Sequence, residues 1–289
     1  MYIALTVYRS GCDLFTRKSA GSPSLNGAFR TERTSSAFAL QAAVTVVTAY
    51  YVVPSDHSKA DYLQWMETFL TNVPCFLIIF TEASMLFTLR AFRSNFTDRT
   101  AFIVKPFEEL SMSKLKPVWK QHYVMDPEKD RHTIENYIVW NNKVSFVTEA
   151  IASNPFNSSY FVWSDIGVFR QPQFIKRYST FPNPAKLARQ EEHQMLILMS
   201  FPIRKDKYLI NLANGLPIHD FLLDYRIHAP VFAGHVKAWL EYSKLFYSTL
   251  QSSSNMNGLL IKIKILCHLL LSCIQTLLCS LDQKSSSDI

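Results

Sequence analysis

Between residues 43 and 250 of this 289-residue chain, stretches of continuous apolar sequence alternate with stretches in which apolar positions recur every three or four residues. Residues 43–53, "AVTVVTAYYVV", are β-branched and aromatic without interruption, which is typical of a strand covered on both faces. Further strands are predicted at 75–80 (CFLIIF), 101–104 (AFIV), the aromatic run 160–164 (YFVWS) and, more ambiguously, 194–203 (QMLILMSFPI).

Three stretches show helical spacing. The first follows Ser58, the second runs from Thr133 to Ser153 and stops before Pro155, and the third covers 232–250. In the first helix the predicted apolar face consists of Tyr62, Trp65, Met66, Phe69, Leu70 and Val73. Strands that alternate with helices predict an α/β domain with a mainly parallel sheet.

The two ends of the chain differ in character from residues 42–250, which we predict to be the folded domain. Residues 1–41 are rich in Ser, Gly, Arg and Thr without apolar periodicity, so we expect an irregular or disordered leader, with an organelle transit peptide as the alternative. At the other end, 251–258 (QSSSNMNG) suggest a linker. The apolar segment 259–281 is compatible with a membrane anchor, a core or interfacial helix, or sequence foreign to this fold. A cytoplasmic and a membrane-associated location both remain open.

Charge and motifs narrow the function. The formal net charge is +7, but the basic residues are scattered and form no run typical of a nucleic-acid surface, so we expect no nucleic-acid partner. The chain contains no Walker loop, GxGxxG, GxSxG or HExxH motif, and its seven glycines leave little room for phosphate-cradling loops. None of the five cysteines has zinc-ligand spacing.

The clearest chemical candidate is Asp165, which comes directly after the buried run 160–164. In open α/β sheets, ligands bind at the carboxyl ends of strands. A carboxylate there suits a hard divalent cation, Mn²⁺ or Mg²⁺, whose shell the phosphates of a ligand complete. The alternative is that Asp165 caps the following turn, in which Gly167 supplies a permissive backbone.

Six other residues could bind a donor molecule. Thr48, Tyr50 and Tyr51 end the first strand, where a hydroxyl can meet a phosphate and a ring can stack on a base. Trp140 and Lys143 lie three positions apart on the predicted helix 133–153 and therefore share a face. Arg170 follows Asp165 closely and could bind a second anionic group. Core tyrosines and ordinary surface cations would explain the same residues.

Five blocks in this order resemble the HtrL/YibB (WlaTC/HtrL) family: "VTVVTAYYVV", "SDHSKADYLQWMETFL" with "PCFLIIFTE", "YIVWNNKVSFVTEAIASNPFNSSYFVWSDIGVFR" and "VFAGHVKAWLEYSKLFYSTL". The resemblance spans about residues 43–250 and is most specific between Trp140 and Arg170. It implies a GT-A-like fold, a nucleotide-diphospho-sugar donor bound over the first strand, and Asp165 in the place of the family's metal-binding acidic motif.

Two departures from the family pattern matter. Where the family has a glycine-rich GG-x-FGG stretch, this chain has "APVFAGH", which keeps Gly234 but contains Ala229, Pro230 and His235. Beyond residue 250 no match continues, so the C-terminal part of the fold could be incomplete.

Two functions therefore remain. The first is a metal-dependent glycosyltransferase that moves a sugar from a nucleotide-diphosphate donor to an unknown acceptor, with its catalytic residue unassigned. The second is a non-catalytic or truncated GT-A-like protein that binds a nucleotide or a partner and associates with a membrane through 259–281.

Overall fold

The computed structural model describes residues 5–9, 44–126, 129–199, 210–211, 216–217 and 227–254. Its strands are β1 (Leu5–Arg9), β2 (Val44–Tyr50), β3 (Phe76–Thr81), β4 (Thr100–Val104), β5 (Tyr160–Ser164), β6 (Met195–Met199), β7 (Ile210–Asn211), β8 (Leu216–Pro217) and β9 (Ile227–His235). Its α-helices are α1 (Lys59–Asn72), α2 (Ala83–Phe92), α3 (Lys116–Met125), α4 (Ile134–Asn141), α5 (Lys143–Ser153), α6 (Ile175–Tyr178), α7 (Pro184–Leu187) and α8 (Val236–Ser254).

Seven of these strands form one sheet in the order β1-β6-β9-β5-β2-β3-β4. All neighbouring pairs are parallel except those that involve β9, which runs antiparallel to both β5 and β6. Strands β7 and β8 form a separate antiparallel pair. The predicted α/β domain with a mainly parallel sheet and flanking helices is confirmed, and its GT-A-like type stays a prediction.

Helices cover both faces of the sheet. On one face, α1 and α2 pack against the side chains of Val46, Leu77 and Ile79. On the other face, α4, α5 and α8 pack against Val47, Ile78 and Phe161. Every residue of β2 is buried, so the continuous apolar run predicted this central strand correctly.

The predicted helix 133–153 is two helices, α4 and α5, that meet at Asn142. The Asn142 side chain explains the break, because its amide oxygen accepts hydrogen bonds from the Ser111 hydroxyl at 2.7 Å and the Met112 main-chain N–H at 3.2 Å. Residues 232–235, which we predicted to begin the last helix, belong instead to β9. That helix starts at Val236 and continues to Ser254, into the predicted linker.

Within the predicted irregular leader, Leu5–Arg9 form β1 and pair with β6, so these five residues differ from the prediction. The rest of 1–41 and the apolar segment 259–281 lie outside the described residues. Among the helices that the structure describes, none combines the length and the apolar character needed to cross a bilayer.

Candidate functional site

A cleft of about 330 Å³ opens at the carboxyl ends of β2 and β5. These two strands are parallel neighbours in the sheet, but the helix that follows β2 and the helix that precedes β5 lie on opposite faces. The cleft therefore lies between α1 on one side and α4 with α5 on the other. Open α/β sheets bind their ligands at such points.

Six of the seven residues predicted to form the site line this cleft: Tyr50, Tyr51, Trp140, Lys143, Asp165 and Arg170. Thr48 does not line it. Its side chain is fully buried within β2, and its hydroxyl has no hydrogen-bond partner among the described residues. Trp140 and Lys143 reach the cleft from two different helices, not from one as predicted.

Asp165 is held in place by its surroundings. Its main-chain N–H donates to the carbonyl of Pro230 at 2.8 Å, which ties the end of β5 to β9. Its Oδ1 accepts a hydrogen bond of 2.6 Å from the indole Nε1 of Trp163, a residue that is 1% exposed. The Trp163 ring in turn stacks on Phe146 of α5, with 5.7 Å between the ring centroids.

The same carboxylate forms an ion pair with Lys143, whose Nζ lies 2.7 Å from Oδ1. Lys143 is only 3% exposed, whereas 36% of the Asp165 side chain is exposed. Burying an ammonium is costly unless it is paired and hydrogen-bonded, and Asp165 provides Lys143 with such a partner. The carboxylate at the end of β5 therefore already contacts a cation.

The predicted Mn²⁺ or Mg²⁺ can be compared with these ligands. Asp165 is the single acidic side chain among the described residues that line the cleft. Nowhere in the described ranges do three or more His, Cys, Asp or Glu side chains come together to hold a metal. With one carboxylate whose charge Lys143 already offsets, these residues alone do not fit a divalent cation. The metal stays a prediction, and the proposed function does not require it.

Arg170 provides a second cation at the mouth of the cleft. Its guanidinium stacks over the Trp65 ring, with 4.1 Å from Cζ to the ring centroid, and its Nε donates to the Gly167 carbonyl at 2.9 Å. A Cβ on Gly167 would lie 3.1 Å from Trp65 Cε3, so the absence of a side chain lets the indole pack against this turn. Exposed and supported by an aromatic ring, the guanidinium is placed to bind an anion.

Tyr50 and Tyr51 line the cleft, but their rings already pack against other aromatic rings, and the Tyr51 hydroxyl is shielded from solvent. Tyr51 packs between Phe107 and Phe146, and Tyr50 packs against Tyr62. Burial raises the pKa of both phenols above the usual value, so both stay protonated at neutral pH and can donate a hydrogen bond. The Tyr51 hydroxyl has no partner among the described residues.

Trp140 forms a wall of the cleft and is supported from behind. The His132 ring packs edge-on against it with 4.9 Å between centroids, and His132 Nδ1 lies 2.8 Å from Asp126 Oδ2. Asp126 also accepts a hydrogen bond of 2.5 Å from the Tyr137 hydroxyl. The partly exposed indole therefore has a fixed position, as a stacking surface for a base requires.

Sequence reasoning missed several residues that line the cleft: Ser55, Tyr62, Asn136 and Val139. The spacing of apolar residues places Tyr62 on the apolar face of α1. Because Tyr62 also lies near the beginning of the helix that follows β2, its position could have indicated a residue of the cleft. Asn136 caps α4 by accepting a hydrogen bond of 2.7 Å from the Thr133 N–H, so its place in the sequence "TIEN" predicts a helix start and not a binding residue.

No family model and no curated protein matches this chain. Among solved structures, the crystal structure of mouse xyloside xylosyltransferase 1 in its apo form is similar, at 11% sequence identity. The match covers 73% of this chain and 74% of that chain, with a TM-score of 0.35. At this TM-score no residue correspondence is drawn between the two proteins.

Proposed function

We propose that this protein is a glycosyltransferase of the HtrL/YibB type, which binds a nucleotide-diphospho-sugar in the cleft between β2 and β5 and transfers the sugar to an acceptor. The single observation that supports this most strongly is the composition of the cleft. It combines two cations, Lys143 and Arg170, with the aromatic wall of Trp140 at the switch point of a mainly parallel sheet.

Each part of such a donor has a complementary group. A pyrophosphate carries the negative charge that the exposed guanidinium of Arg170 and the ammonium of Lys143 can offset. The base can stack on Trp140, which the His132 ring holds in place. The protonated hydroxyl of Tyr50 can donate to a ribose or phosphate oxygen. We assign no catalytic residue, and the sugar and the acceptor are left open.

The first test is ligand-dependent thermal stability. We expect one nucleoside diphosphate from a panel of UDP, GDP, ADP and CDP to raise the melting temperature of the protein. A ligand that binds only the folded state stabilises it by about 2.7 kcal/mol at a concentration one hundred times Kd. Trp140→Ala should remove this stabilisation, whereas Trp119→Phe, in the core on the far side of α4, should keep it.

A second measurement separates the two functions that the sequence left open. Incubation with the matching nucleotide-sugars should release free nucleoside diphosphate if the protein is a transferase, since water can replace the missing acceptor. Binding without release, even with a broad set of sugar acceptors, would favour the non-catalytic GT-A-like protein. Failure of every nucleotide to bind would contradict the transferase and would leave, of the second function, only the binding of a partner.

A further inference from the structure

The Lys143 ammonium contacts the carboxylate that the sequence resemblance assigns to a metal ion. Nζ lies 2.7 Å from Asp165 Oδ1 and 5.6 Å from the centroid of the Trp163 ring. At 3% exposure, Lys143 is not a mobile surface side chain that solvent can draw away. It occupies a defined position at the base of the cleft, on the first residue of α5.

A divalent cation would have to share this position. Bound to Asp165 Oδ1 at about 2.1 Å, it would lie no farther than about 5 Å from the ammonium, and the two positive charges would repel. The other oxygen, Oδ2, has no partner among the described residues, but a cation there would still share the one negative charge with Lys143.

The other charged side chains of the cleft also disfavour a divalent cation beside Asp165. Among the described residues that line it, Lys143 and Arg170 are cationic and Asp165 is anionic, so this part of the lining carries a net positive charge without any metal. A divalent cation at a pyrophosphate site serves to neutralise the phosphates, and Lys or Arg side chains can serve the same purpose. Here side chains already supply that positive charge.

We propose that Lys143 is the resident cation of the cleft and that nucleotide binding there requires no divalent metal. An ammonium has three N–H donors, so it can bond to a carboxylate and also to a phosphate oxygen. Asp165 is then a positioning residue, which holds the buried ammonium at the floor of the cleft. The part of this inference that concerns the nucleotide rests on the function proposed above, whereas the part that concerns the metal does not.

The test uses Mn²⁺ alone, titrated into the full chain and followed by electron paramagnetic resonance of the free ion. The proteins compared are the parent, Asp165→Asn, Lys143→Met and the double variant. The parent and Asp165→Asn should bind Mn²⁺ equally. Lys143→Met leaves Asp165 without its counter-charge, so its Mn²⁺ affinity should rise about tenfold or more. The double variant should lose that gain.

Two outcomes overturn the inference. One is a Mn²⁺ site in the parent that Asp165→Asn abolishes, since Asp165 would then bind metal while Lys143 is present. The other is a folded Lys143→Met variant that gains no Asp165-dependent affinity. If Lys143→Met does not fold, as circular dichroism would reveal, the comparison of the parent with Asp165→Asn decides alone.

The nucleotide that stabilises the parent should then bind with the same Kd in EDTA and in excess Mn²⁺. An affinity about tenfold higher with Mn²⁺ contradicts the inference. If no nucleotide binds under either condition, the proposed function fails, and the Mn²⁺ titration still decides whether Lys143 excludes the metal.

Discussion

Among the Lys and Arg residues that the structure describes, two are buried, Arg93 and Lys143, and their partners differ in kind. Arg93 is 1% exposed. Its guanidinium donates to the main-chain carbonyls of Leu70, Val73 and Cys75, between the last turn of α1 and the start of β3. Lys143 is 3% exposed and pairs with one carboxylate that reaches into a cleft. One cation binds acceptors of the backbone, and the other binds an ionised side chain that solvent can reach.

The difference separates a structural cation from a candidate binding group. The carbonyls around Arg93 belong to the end of α1 and the turn into β3, and its Nε also donates to the Thr100 hydroxyl at 2.8 Å. Burial lowers the pKa of this guanidinium and raises the pKa of the nearby Cys75 thiol to about 11, so the thiol does not serve as its counter-ion. Arg93 is not among the residues that line the cleft, whereas Lys143 is.

The largest expected effect is that of Arg93→Leu. It removes the donors to several buried carbonyls at once and should lower the free energy of unfolding by about 3–5 kcal/mol, as breaking a buried charged network does. Urea denaturation measures this. The control is Arg90→Leu on the same turn of α2, where the guanidinium is exposed and the change should stay within about 0.5 kcal/mol. Equal losses for both variants would contradict the structural role of Arg93.

Asp165→Asn comes next and tests the other cation. The substitution removes the carboxylate charge that lies 2.7 Å from the buried Lys143 ammonium, and we expect a loss of about 2–3 kcal/mol in the free energy of unfolding. The control is Asp56→Asn, which breaks only an exposed ion pair with Arg131 and should cost about 0.2–1 kcal/mol. If Asp165→Asn is as stable as the parent, the ion pair in the cleft contributes nothing and Lys143 does not depend on it.

Arg170→Ala concerns binding instead of stability. Its guanidinium is exposed, so its removal should change the melting temperature little but weaken nucleotide binding by about 1.5–3 kcal/mol, the range for a hydrogen bond to a charged group. Isothermal titration calorimetry gives the Kd. Arg177→Ala is the matched control, because that guanidinium also packs on an aromatic ring, Phe174, but lies outside the cleft. Equal affinity of both variants would exclude Arg170 from the anion site.

The smallest effect is expected for the ion pair between Lys105 and Glu149 of α5, the helix that also carries Lys143. Both side chains are partly exposed, so solvent screens the pair. A double-mutant cycle with Lys105→Met and Glu149→Gln should give a coupling energy of about 0.2–1 kcal/mol that decreases with added salt. A coupling as large as that expected between Lys143 and Asp165 would mean that burial does not set the difference between these two pairs.

Local pattern was sufficient to predict strands β2, β3 and β5, helix α1 and the position of Asp165 at the end of β5. A strand that is apolar on both faces is shielded from water only if both faces of its sheet are covered. The uninterrupted β-branched run was therefore enough to predict β2 as a central, buried strand. Likewise, Ser58 caps α1 through the Asp61 N–H, an interaction between residues three apart that the local sequence carries in full. The cleft lining was predicted in part because parallel strands end at the same edge of a sheet.

Only the folded chain could decide the matters that depend on contacts between distant segments. Whether Asp165 faces a metal or an ammonium follows from the packing of α5 against β5, and no periodicity encodes that distance. The break at Asn142 depends on hydrogen bonds from Ser111 and Met112, a segment that arrives from elsewhere in the chain. Thr48 has the right neighbours in sequence but lies inside the sheet. Local pattern specifies which residues lie at the end of a strand. Which charged group contacts each of them depends on another segment of the chain, which only tertiary packing places beside that strand.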